Sequence, residues 1–81
     1  MKASSIRKLA LAHDAPTLEQ AADDLIEERE PAIEIEGEDD GERLTHINLA
    51  LRIRRRVDDG IDAKTAFRTV LADVRALLTN D

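Results

Sequence analysis

The residues with most chemistry to offer in this 81-residue chain are His46, the acids around it, and a run of arginines. Glu42 and His46 stand four positions apart, which places them on one side of a helix. Such a pair could supply two metal ligands or a carboxylate–imidazole couple for proton transfer. A zinc site needs three or four ligands, and the next helical position is Ala50. His13 could in principle join from the first helix. His46 is therefore read as a histidine built into the core, the commoner use of a partly buried ring.

Arg52, Arg54, Arg55 and Arg56 form a basic cluster. A nucleic-acid interface needs such a footprint. It would also be helped by aromatic stacking partners, and Phe67 is the sole aromatic residue. Net charge is -6, which opposes general affinity for nucleic acid. Arg54–Asp58 and Arg55–Asp59 are helix pairs at i, i+4, so the cluster is read as solvated or internally paired. Asp58 and Asp59 sit where a helix dipole disfavours anions, and these arginines account for them. The acidic stretch Glu34, Glu36, Glu38, Asp39, Asp40, Glu42 lacks the spacing of a calcium loop. Weak, non-specific divalent binding is the most it suggests. No Gly-rich phosphate loop, G-x-S-x-G, H-E-x-x-H or Cys–His pair occurs. No catalytic, cofactor-binding or metal-ligating residue is assigned, and the chain is not read as an enzyme.

The element that must carry these side chains is the run Leu44–Val57. At 100° per residue, Thr45, Asn48, Arg52, Arg55 and Arg56 share one arc of about 100°. Leu44, Ile47, Leu49, Ala50, Leu51, Ile53 and Val57 occupy the rest, with His46 and Arg54 among them. A helix that is apolar over most of its circumference must be covered on two or more sides. This predicts a central helix over 40–59, capped by Asp39 and closed by Gly60, with Ile61 touching back.

The other elements follow from helical spacing. A short first helix is expected within 1–15, capped by Ser4 or Ser5, with Ile6, Leu9, Ala10 and His13 on one face. A second helix over 17–30 opens on a Thr17–Gln20 capping box and buries Leu18, Ala21, Ala22, Leu25 and Ile26. An acidic connector, 31–41, tucks Ile33 and Ile35 against the core. A last helix over 62–78, capped by Asp62, presents Phe67, Val70, Leu71, Val74, Leu77 and Leu78. The expected fold is all-α: a compact bundle of three to four helices in one domain, with a long central helix and a C-terminal antiparallel helical hairpin.

Charge comes in blocks. Residues 1–13 carry +3, 14–42 carry -12, 43–57 carry +5 and 58–81 carry -2. The basic third helix is expected beside the acidic second segment. There is no cysteine, so neither disulfide nor thiolate chemistry is available. The start is broken by Arg7 and Lys8 and does not read as a signal peptide. No apolar run approaches membrane-span length. A cytoplasmic protein is expected.

The start Ile6-Arg7-Lys8-Leu9, the acidic second helix and loop, and Val57-Asp58-Asp59-Gly60-Ile61 before Lys64-Thr65-Ala66-Phe67 resemble a small family of uncharacterised short helical bacterial proteins. The resemblance covers nearly the whole chain and implies no established activity, cofactor or site residue. It implies at most an accessory to thiol-redox chemistry.

Three functions are weighed. The first is a small module that binds a protein partner or itself, with a two-fold homodimer through helices three and four placed just ahead of a monomer. The second is a nucleic-acid-binding accessory using Arg52–Arg56. The third is a metal-dependent enzyme using His46, Glu42 and the acidic loop.

Overall fold

The computed structural model describes residues 2–79, with side chains described to residue 76. It contains α1 (Ala3–Ala12), α2 (Ala15–Ile26), α3 (Asp40–Asp58) and α4 (Ala63–Thr79). The fold is an all-α bundle. The long α3 is its hub: α1, α2 and α4 each pack on it, and α1 also touches α4. α3 meets the rest of the molecule through His46, Ile47, Leu49, Ala50, Leu51 and Ile53, all buried. These residues span about 200° of its circumference. Each neighbouring helix needs one stripe on α3, so three neighbours share its apolar arc and leave only Leu44 and Val57, near its two ends, half-buried. Ile6, Leu9 and Ala10 come from α1, Leu18, Ala21, Ala22 and Leu25 from α2, and Ala66 and Val70 from α4.

The helix ends differ from the expected ones for local reasons. α1 begins after Lys2, which makes no side-chain cap. Ser5 is buried and spends its hydroxyl on Glu36 instead, at 2.7 Å. α2 starts at Ala15, with Asp14 as N-cap accepting from the Thr17 N–H at 3.0 Å. Thr17 is thus the donor of that cap. Pro16 lies inside the first turn, where its missing N–H has no partner to lose. α2 ends at Ile26, well before Pro31. Ile26 is 63% exposed, not buried as its spacing suggested.

The α2 terminus is a Schellman turn built on Glu28, which has φ 59°. Its N–H donates to Leu25 O at 3.1 Å, and the Arg29 N–H donates to Asp24 O. Glycine usually fills this left-handed position because a Cβ strains it. Glu28→Gly should therefore raise stability by about 1 kcal/mol, relieving a strain of that order. A urea midpoint that fell would show that Glu28 makes a contact outweighing its strain.

α3 opens as the sequence suggests, with the Glu42 N–H donating to Asp39 at 2.8 Å. Glu42 returns the bond one residue early, accepting from the Glu38 N–H at 2.9 Å. α3 closes on Gly60 at φ 100° with a second Schellman pair, Gly60 N–H to Val57 O and Ile61 N–H to Arg56 O, each 3.0 Å. Ile61 remains 40% exposed, so it does not close the hydrophobic contact expected of it. α4 is capped by Asp62, which accepts from the Thr65 N–H at 3.2 Å. α3 and α4 form the C-terminal hairpin.

Candidate interaction surface

His46 is 1% exposed, on the face of α3 that meets the N-terminal backbone. Its Nε2 accepts from the Lys2 backbone N–H at 3.1 Å. Its Nδ1 lies 2.7 Å from Glu36 O. The carbonyl can only accept and the amide can only donate, so the ring is neutral with its proton on Nδ1. Neither nitrogen has a lone pair free for a metal or substrate. His46 ties two otherwise irregular backbone segments to the hub. Glu42 faces Glu38, and His13 lies away from this site, on the wall of a groove beside α1. The described residues contain no group of three or more His, Cys, Asp or Glu able to hold a metal ion.

The arginine cluster is spent inside the chain. Arg52 and Arg56 converge on Asp73 of α4 at 3.2 and 3.6 Å. Arg54 holds Asp58 at 2.8 Å and reaches Ala10 O at 3.4 Å. Arg55 pairs with Glu19 of α2 at 2.9 Å rather than with Asp59. Asp73 thus links α4 to α3. The acidic α2 neutralises one of the four arginines; the others turn to α4, α1 or their own helix. Exposed pairs of this kind contribute little each, about 0–1 kcal/mol. Each guanidinium of the cluster has an acidic partner within the chain, although Arg56 Nη1 is buried without a hydrogen-bond partner.

One organising residue was not singled out by sequence. Arg43 donates to Ile35 O at 3.3 Å, to Asp40 at 3.1 Å and to Glu30 at 2.7 Å. Glu30 and Asp40 hold its pKa above the ordinary value, Glu30 most strongly. Gly37 lies against this arginine: a Cβ there would stand 2.7 Å from Arg43 Cγ. Together Arg43, His46 and Ser5 pin the connector, burying Ile35 and half-burying Ile33. On either side of Ala32 and Ile33 lie open grooves, about 410 Å³ against α1 and about 280 Å³ against α2. Lys8 on the wall of the first is 3.7 Å from Glu36.

Four carboxylates in caps and ties have lowered pKa values. Thr17 lowers Asp14, Ser5 lowers Glu36, the Glu38 N–H lowers Glu42, and Thr65 lowers Asp62. A group whose folded pKa is depressed stabilises the fold above its unfolded pKa, about 4, and loses that contribution as pH falls through the folded value. Stability from these groups should be level above about pH 5 and fall below about pH 4. Chemical denaturation across that range checks it. A chain that gained stability on acidification would contradict these assignments.

Leu11, Ile26 and Ile61 are exposed singly, whereas α4 carries a contiguous apolar stripe that is only part-covered among the described residues. Ala66 and Val70 are fully buried against α3. Phe67, Leu71 and Val74 are only half-buried. On the helical wheel they lie clockwise of the buried pair, so the apolar stripe is wider than the seam that uses it. The α3 seam is thus centred on Ala66 and Val70, one side of the expected stripe. Leu77 and Leu78, expected on the same stripe, have side chains outside the described residues. The Arg7 guanidinium of α1 stands 6.0 Å from the Phe67 ring centroid, within cation–π range. Lys64 and Arg68, both exposed, flank the open edge of the stripe.

The architecture defines an all-α bundle whose arginine cluster is paired within the chain, save the buried Arg56 Nη1, and whose last helix keeps a half-covered apolar edge. The chain belongs to a family of unknown function, DUF6952, whose sequence profile matches residues 1–78. No curated protein and no solved structure matches it. No helix among the described residues is long and apolar enough to cross a membrane.

Proposed function

We propose that this chain is a small interaction module, not an enzyme, that works by associating through the outer edge of α4, with a second copy of itself as the occupant. The observation that carries the reading is the mismatch on α4. Phe67, Leu71 and Val74 extend beyond the Ala66–Val70 seam that α3 covers. A chain this short gains only a few kcal/mol from its own core, and association is a common supplement. A half-covered apolar stripe is the kind of surface that marks a contact site. α3 does not share in this surface, because its buried arc is already consumed by three helices; the two-helix interface expected from sequence narrows to α4.

Two observations favour this reading over its rivals. The arginines that a nucleic-acid interface needs are paired with Asp73, Asp58 and Glu19. Both nitrogens that a His46 base or ligand needs are occupied. Light scattering at tens of micromolar tests the proposal. A mass at least twice 9.0 kDa is expected, and one that stays at 9.0 kDa at every concentration refutes it.

A further inference from the structure

The open edge of α4 is not only apolar. Lys64 precedes Phe67 by three residues and Arg68 precedes Leu71 by three, so each cation stands beside a half-buried apolar side chain. Arg7 adds a third charge over the Phe67 ring. Lys64 and Arg68 are exposed, and neither enters an ion pair among the described residues. The edge is therefore a basic and apolar strip.

The complementary strip lies on α2. Ile26 is the most exposed large apolar residue described, at 63%. Asp23 and Glu27 lie together along one side of it, both exposed and outside the ion pairs that bind Asp24 to Arg29 and Glu19 to Arg55. α2 and the connector carry most of the excess acid in the chain, and its own arginines neutralise only part of it.

We infer that the α4 edge of one copy docks on the Asp23–Ile26–Glu27 strip of a second copy, Ile26 entering between Phe67 and Leu71 while Lys64 and Arg68 face Asp23 and Glu27. This rests on self-association through α4 and adds what sits opposite. Symmetric docking of α4 on an antiparallel α4 would set the flank that carries Lys64 and Arg68 along the same basic flank of the second copy, like charge against like charge. Docking on α2 replaces that repulsion with attraction. Because the two strips differ, the contact is heterologous: one pair of copies leaves an unused strip at each end unless the arrangement closes. Mass should then rise progressively with concentration, and salt should weaken association.

Two charge-reversed variants test this. K64E/R68E makes both strips acidic, and D23K/E27K makes both basic. Every substituted position is exposed, and circular dichroism checks that each variant folds. By sedimentation at low salt, each variant alone should associate at least tenfold more weakly than the wild type. An equimolar mixture should recover association, because the acidic α4 edge of one then meets the basic α2 strip of the other. Both variants remain net acidic, so general charge attraction does not explain recovery. If the wild type associates and both variants associate equally well alone, α2 is not the docking surface, although association through α4 survives. Loss in each variant without recovery on mixing also overturns the pairing. A wild type that is monomeric throughout overturns both the pairing and the association it rests on.

Discussion

Val70→Asp should abolish the cooperative folding transition. Val70 is completely buried in the α3–α4 seam, beside the equally buried Ala66. Arg52 and Arg56, the α3 cations that reach α4, are already held by Asp73, so a second carboxylate there adds like charge beside Asp73, and removing it from water costs several kcal/mol even after relaxation. The whole fold of 81 residues has about 4–12 kcal/mol to lose. The same change one helical turn on, at half-buried Val74, should be milder, because the new carboxylate can reach solvent. Thermal unfolding followed by circular dichroism separates the two. Equal loss at both positions would mean that α4 is rotated from the register described.

His46→Leu should destabilise the fold by about 2–4 kcal/mol, although leucine suits a buried position. The substitution leaves the Lys2 N–H and the Glu36 carbonyl without this partner in a part-buried place, at about 1–2 kcal/mol for each. Loss of the Glu36 anchor should also loosen the connector, so amide exchange should quicken around Ile35 and Gly37. An unchanged urea midpoint would show that the ring is not a structural tie. It would reopen the possibility that His46 is held for chemistry.

The hub was legible in the sequence because one signal dominates it. A helix with apolar residues over most of its circumference has no stable place except between others, and Leu44–Val57 meets that condition whatever surrounds it. The caps at Asp39 and Asp62 and the turn at Gly60 were legible for the same local reason: each uses residues within a few positions of one another. The start of α2 was not. Asp14 and Thr17 can both cap, and choosing between them depended on admitting Pro16 to the first turn. The end of α2 was hidden by Glu28, since a left-handed glutamate carries no sequence signal.

Long-range partners were the least legible. That the arginines would be paired could be argued from charge. That Arg52 and Arg56 would choose Asp73, and Arg55 Glu19, depends on helix rotations that periodicity fixes only loosely. Arg43 escaped notice because its acceptors, Glu30 and Ile35 O, lie on a connector with no period to read. The α4 edge was obscured for a related reason. The sequence shows an apolar stripe but not which side of it the neighbour will use, and burial of Ala66 rather than Leu71 decided which side stays open.

The most direct test of that open edge as the working surface is a concentration series of backbone amide chemical shifts, from low micromolar to millimolar, with the unmodified chain. Progressive shifts are expected along α4 at Lys64, Phe67, Arg68 and Leu71, with the buried positions of α3 unmoved. Spectra that do not change with concentration, or changes confined to the polar arc of α3 around Asn48 and Arg52, would contradict it.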